Sequence, residues 1–350
     1  MGDIIWEAEV LKKYGVEIYT IGTASYTREK SLIEIASEPK NEHAFILQNY
    51  PALDWLSQEL TDFTADYSRC GLRPKHRTIT DGGNPITGQD TETWPWLAAL
   101  CFTSGSEEPK IKCSGSIIHD LYILTTAHCV YYEAIEEERK ENQITVHLGL
   151  TDIQNEAYEE VIDVEKIYIH EKYSNDGNYD YDIALLKLEA PIVYNAFIRP
   201  ICLPPTNLPL DSILYKPNET AIATGWGMDV GEDERKHVAF RMRRYPKEVN
   251  LTLQSKENCV DFVKNKSQNV KFTERMLCAG GDGEEACLGH RGSPLMQPRF
   301  DSDGNVYWTQ VGITGWSFWP CGRESSYGYY THVQNLVSWI TETIKQTINE

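Results

Sequence analysis

Three short stretches carry residue types that could do covalent chemistry. Leu124-Thr-Thr-Ala-His128-Cys129 is a β-prone run ending in a histidine beside a cysteine. Asp180-Tyr-Asp182-Ile-Ala-Leu-Leu-Lys-Leu188 places aspartates ahead of an apolar run, and Cys287-Leu-Gly-His-Arg-Gly-Ser-Pro-Leu295 contains a glycine-bounded turn. An imidazole takes and returns protons near neutral pH, and a carboxylate can hold its tautomer. The set therefore points to base-assisted nucleophilic catalysis, provided a third group supplies the nucleophile. Each stretch alone would pass as structural.

The elements that must position these residues change character along the chain. Residues 1 to about 66 read as helix (Trp6–Lys13), strand (Val16–Gly22), helix (Ser31–Ala36), strand (His43–Leu47) and helix (Pro51–Phe63), from apolar spacing and a proline near the last helix start. Strands alternating with helices imply a parallel sheet, and two strands cannot close one, so most of such a domain is expected upstream. After Cys70 the pattern becomes short strands and frequent turns, as in an all-β unit.

Bulk properties limit the partners. The 350-residue chain is 41% hydrophobic and carries a formal charge of -19, which disfavours nucleic acid and anionic membrane surfaces. No apolar run is long enough to span a membrane, and no signal peptide follows Met1. Nine cysteines, widely spaced and without a CxxC pair, read as disulfides rather than a metal or redox motif. No cofactor or metal motif is present. Glycosylation sequons at Asn218, Asn250 and Asn265 fit an extracellular, secreted protein, so the chain is expected to be the tail of a longer one whose signal peptide lies upstream.

The order histidine, aspartate, then the turn, with Trp94-Pro-Trp96, Ile198-Arg-Pro-Ile-Cys-Leu-Pro204, Gly225-Trp-Gly227, Met276-Leu-Cys-Ala-Gly280, Val311-Gly-Ile-Thr-Gly-Trp316, Gly328-Tyr-Tyr-Thr331 and Ser338-Trp-Ile340, resembles the trypsin and chymotrypsin family of serine proteases. The resemblance implies an all-β fold of two antiparallel β-barrels with the active site between them and a C-terminal helix over about 335–346. It implies disulfides Cys113–Cys129, Cys259–Cys278, Cys287–Cys321 and Cys70–Cys202, with Cys101 read as a buried thiol and an intermolecular bridge as the alternative. The Cys113–Cys129 loop of about 15 residues should contribute roughly 3 kcal/mol.

Upstream, "GVEIYTIG", "IEIAS" and "HAFILQNYPALDWL" resemble the end of a von Willebrand factor A-type domain, although that family's D-x-S-x-S metal motif is absent. The implied organisation is an A-type remnant over 1–66, a linker with a tethering cysteine over 67–83 and the protease-like domain over 84–350. The pairing of these modules resembles complement factor B and complement component two, which implies a protein partner such as a complement fragment.

The resemblance also exposes a departure. Where the family carries G-D-S-G-G-P, this chain has Gly289-His290-Arg291-Gly292-Ser293-Pro294. A guanidinium stays protonated and cannot attack a carbonyl, and losing the serine in such a hydrolase costs about a millionfold in turnover. Ser293, two residues on, is not expected to reach the same point. His290 replaces the aspartate that would receive an activation-generated N-terminus, and Arg77-Thr-Ile-Thr-Asp-Gly-Gly83 lacks a clear I-V-G-G start.

His128 and Asp182 are the retained catalytic positions, with Arg291 at the nucleophile and Gly289 and Arg291 at the oxyanion positions. Glu285 takes the pocket floor and Trp316 and Gly328 fit its wall, while Gly315 and Ser317 depart from the usual serine and glycine. Arg291 is expected to pair with Glu285 or Asp182. The expected function is a non-catalytic, binding or regulatory homologue; the alternative is an active endopeptidase if 290–293 is erroneous, and adhesion through the A-type segment is a third reading. The acidic run Glu133–Glu141 and Arg241, Arg243 and Arg244 read as solvated faces. Glu156, Glu159 and Glu160 fall near a loop that binds calcium in some relatives, but Leu150 replaces a ligand there, so no metal is expected.

Overall fold

A computed structural model of the protein describes residues 8, 12, 18, 20–23, 29–37, 44–47, 69–73, 80–81, 84–85, 94–103, 110–135, 144–150, 152–153, 160–195, 197–206, 215–232, 238–267, 270–282, 291–300, 304–318 and 324–348. Two compact units result, residues 1–65 with 80–85 and residues 66–79 with 86–350.

In the first unit, β1 (Thr20–Thr23) is followed by α1 (Glu29–Ile35) and β2 (Ala44–Leu47), and the two strands pair in parallel with Thr20 opposite Ala44. Of the expected 16–22 strand, Val16, Glu17 and Tyr19 lie outside the described residues, and Ile18 pairs with Ser37: its carbonyl accepts from Ser37 N at 2.9 Å and its N–H donates to Ser37 Oγ at 2.9 Å. Thr20 Oγ1 donates to Leu32 O at 2.9 Å, tying α1 to β1. A short antiparallel pair, β3 (Thr80–Asp81) and β4 (Asn84–Pro85), goes with this unit. Ala8 and Lys12 are helical; the expected 51–63 helix lies outside the described residues.

The second unit begins with β5 (Leu97–Phe102), β6 (Lys110–His119), β7 (Tyr122–Thr125), α2 (Ala127–Ile135), β8 (Ile144–Leu148), β9 (Glu160–Ile169) and β10 (Ala184–Leu188). These strands close an antiparallel barrel in the order β10-β7-β6-β5-β8-β9. Strand β8 alternates buried and half-buried residues, the period-two pattern of a sheet with one face in a core, whereas β5 is buried throughout.

The chain continues through β11 (Thr220–Gly225), β12 (Met228–Glu232), β13 (Val238–Met242), β14 (Lys247–Thr252), α3 (Lys256–Lys266), β15 (Met276–Asp282), β16 (Pro294–Phe300), β17 (Val306–Ser317), β18 (Glu324–His332), a 3-10 turn (Val333–Asn335) and α4 (Val337–Thr347). Six strands form an antiparallel sheet in the order β14-β11-β16-β17-β18-β15, with β12 and β13 as a separate hairpin. A second barrel was expected, and here the sheet is not fully closed. Its edges meet at one Leu253–Ala279 bridge, because Ser255 immediately caps α3 by accepting from Asn258 N, leaving β14 no further residues to pair.

Tyr122, Leu124, Ile183 and Leu185 from the barrel pack with Ile313 of β17 and with Val333, Leu336 and Ile340, so one apolar core joins both sheets and the C-terminal helix. The seam between the sheets is also polar: Ser116 Oγ donates to Gln310 Oε1 at 2.7 Å, and Thr331 Oγ1 to Asp182 O at 2.7 Å. Such buried pairs are satisfied across the seam and fix its register. The architecture is chymotrypsin-like.

Candidate active site

His128 opens α2, and three constraints hold it there. Cys113 of β6 is bridged to Cys129, its neighbour. Its backbone N–H donates to Asp182 Oδ1 at 2.8 Å, and its Nδ1 lies 2.7 Å from Asp182 Oδ2. Side-chain exposure is 11% for His128 and 2% for Asp182, so the carboxylate faces the imidazole rather than water. With the proton on Nδ1 shared with the carboxylate, Nε2 is the atom left to the cleft, the tautomer a general base requires.

Residues around this pair set its electrostatics. Burial first, then the negative charge of Asp182, raises the Tyr173 hydroxyl pKa, so Tyr173 stays neutral beside the pair. Asp180 is held low: burial pushes its carboxyl up, but hydrogen bonds from Arg275 (2.7 Å to each oxygen) and Thr273 (2.8 Å) outweigh it. This clamp anchors the segment that delivers Asp182. On either side of Asp180, Tyr179 and Tyr181 both have φ of 55°, a conformation that L-residues rarely adopt. Tyr179 thereby meets the edge of His128 at 5.9 Å and stacks on Trp316 at 5.5 Å, and Trp316 in turn stacks on Tyr329 at 4.1 Å. Sequence reasoning missed Tyr179, Tyr173 and Thr331; the available signal was the tyrosine-aspartate alternation running into Asp182.

Arg291 lies against the same end of the barrel. Its carbonyl accepts from Ser114 N at 2.8 Å, next to Cys113, and Gly292 N donates to Thr314 O at 2.8 Å. Gly292 has φ of 81°, and a β-carbon there would sit 2.1 Å from Ser114 O and 2.3 Å from Thr125 Oγ1. The Arg291 side chain is exposed and has no ion pair or hydrogen bond among the described residues. The expected pairing with Asp182 is thus not formed, because both Asp182 oxygens are engaged by His128; Glu285 lies outside the described residues. Ser293 is fully buried and its hydroxyl bonds Thr314 Oγ1 at 2.9 Å.

Of the pocket residues, Trp316 lies opposite Tyr329, and Ser317 opposite Gly328, on β17 and β18. Gly315 borders Asp182, where a β-carbon would lie 3.9 Å from Oδ2, so the position offers that carboxylate no hydroxyl. Gly289, His290, Cys287 and Cys321 are outside the described residues. Disulfides join Cys70 to Cys202, Cys113 to Cys129 and Cys259 to Cys278, and Cys101 is buried. Asn218, Asn250 and Asn265 are exposed. A cavity of about 410 Å³ beside Cys70–Cys202, lined also by Arg69, Leu72, Asn305, Val306 and Tyr307, contains no residue of the histidine–aspartate site.

One weaker expectation is corrected. Arg244 is not a free strand-face charge, since it forms a bidentate pair with buried Asp152 at 2.8 Å for both contacts. Glu160 has its carboxyl raised by burial, partly offset by a hydrogen bond from the Val193 backbone. Among the described residues no group of acids, histidines or cysteines could hold a metal ion, and no helix is long and apolar enough to cross a membrane.

Comparison with known proteins places this geometry. The von Willebrand factor type A domain profile matches residues 1–59. The chain is 31% identical over 283 residues to the clotting factor G beta subunit of Tachypleus tridentatus, covering 78% of this chain and 82% of that one. It is 30% identical over 278 residues to Limulus clotting factor C of Carcinoscorpius rotundicauda, covering 77% of this chain and 26% of that one. It is 33% identical over 255 residues to vitamin K-dependent protein C of Mus musculus, covering 70% of this chain and 48% of that one. The chain thus spans about a quarter of clotting factor C and about half of protein C. The Trypsin family profile matches residues 84–340, most of the chain, which therefore belongs to the trypsin family of serine proteases.

Proposed function

We propose that this trypsin-family domain does not hydrolyse peptides and serves instead as a binding or regulatory component of an extracellular proteolytic cascade. The observation that carries the reading is the occupant of the turn beside His128: Arg291, whose guanidinium cannot become a nucleophile. His128 and Asp182 keep a base-and-orienter geometry of 2.7 Å, but the base has no hydroxyl to deprotonate. Ser293 is no substitute, since its oxygen is buried and bonded to Thr314.

The relatives named as clotting factors and the disulfides support an extracellular setting, and the exposed sequons Asn218, Asn250 and Asn265 are its proposed glycosylation sites. The module order supports a complement-like role with a protein partner bound through the A-type domain. The pocket of Glu285, Gly315, Trp316, Ser317 and Gly328 would then recognise rather than process. The retained His128–Asp182 pair favours one second reading, an active endopeptidase, which requires a serine at 291.

Hydrolysis of arginyl and lysyl peptide anilides by the purified full chain tests the proposal. Turnover should be indistinguishable from buffer. Turnover that is abolished by His128→Ala would overturn it.

A further inference from the structure

We propose that Arg291 forms a carboxylate-binding site at the floor of the cleft, taking a glutamate or aspartate side chain of a partner polypeptide. The inference rests on the non-catalytic reading above and names the ligand chemistry of the same site.

The chain carries 52 acidic against 33 basic side chains, so a surface cation here has many intramolecular acids to choose from. Arg291 is exposed, yet among the described residues it has neither an ion pair nor a side-chain hydrogen bond. Asp182, the acid of the histidine pair, is 2% exposed and gives both oxygens to His128. Among the described residues the cation is therefore left without an acid partner.

Its base is rigid. The Arg291 carbonyl is fixed by Ser114 and the Gly292 N–H by Thr314, both at 2.8 Å, and Gly292 is packed too tightly for any other residue. A pre-positioned group loses less freedom on binding than one on a mobile loop. The turn lies next to the Cys113–Cys129 bridge that holds His128. A planar guanidinium in such a setting suits a carboxylate, which it can engage through two parallel hydrogen bonds.

The net charge of -19 shapes the ligand further. Long-range repulsion disfavours a polyanion, whereas a single carboxylate within about 8 Å, the screening distance at physiological salt, feels mainly the local cation. The favoured ligand is an isolated acidic side chain in an otherwise neutral segment.

A displayed library of random heptapeptides, panned on the full chain and on its Arg291→Ala variant, provides the test. The wild type should enrich peptides with one Asp or Glu at a constant position, and Arg291→Ala should lose that enrichment while keeping the parent's melting temperature. The most enriched peptide should bind about tenfold or more tightly than its Gln or Asn counterpart by calorimetry at 50 mM NaCl, with the gap narrowing at 300 mM. Arg291→Lys should retain part of it. Absence of acidic enrichment, or its persistence in Arg291→Ala, overturns the site. Mass spectrometry of the same peptides separates the two claims: cleavage would sink the non-catalytic reading alone, and intact peptides bound without regard to charge would sink this inference alone.

Discussion

At residue 291 an arginine stands on a turn whose backbone is fixed by Ser114 and Thr314. The turn depends on Gly292, whose positive φ and contact with Ser114 and Thr125 leave no room for a side chain. Gly292→Ala should therefore destabilise the chain by roughly 2–4 kcal/mol, or prevent folding, read as a fall in the urea midpoint. An unchanged midpoint would mean that the turn is not packed as described. At this scale the sequence picked out His128 and Asp182, which the structure brings to 2.7 Å of each other. It was silent on Tyr179, whose place between His128 and Trp316 follows from a strained φ and from the Asp180–Arg275 clamp, both products of tertiary packing.

Elements carry the residues into register, and two of them make separate predictions. The Cys113–Cys129 bridge, with a sequence separation of 16, ties β6 to α2 beside His128. Replacing both cysteines with serine should cost about 3 kcal/mol, mainly by freeing the unfolded chain, and should raise hydrogen exchange in α2. At the end of β18, His332 is half-buried with its ring beside Tyr215, and desolvation depresses its pKa to about 4 from an ordinary 6.5. The folded state then binds fewer protons than the unfolded chain between these values, so stability is complete above pH 6.5 and declines as pH falls towards 4. His332→Leu should remove that contribution, on the order of 2 kcal/mol, and flatten the acid limb of the unfolding midpoint. An unaltered acid limb would show that His332 does not titrate this way. The strand-and-turn pattern after Cys70 was legible in the sequence because period-two burial repeats along β8 and β9. The incomplete closure of the second sheet was not, since it depends on where the Ser255 cap interrupts pairing.

Across the whole molecule, two units of different architecture are joined in one acidic chain, and the larger belongs to the trypsin family of serine proteases. Family membership could be read from motif order, because the fold needs those residues in that succession. The partner could not, because a binding surface obeys no comparable spacing rule. What the fold preserves, a buried carboxylate on an oriented imidazole within a packed seam, also stabilises the scaffold, so its retention is compatible with recognition alone. The most direct measurement is covalent: the purified full chain, its sequence verified at residue 291, is incubated with a serine-directed phosphonate and the intact mass recorded. The account predicts an unmodified mass under conditions that label trypsin completely. A stoichiometric adduct that disappears when the protein is first heat-unfolded would contradict it.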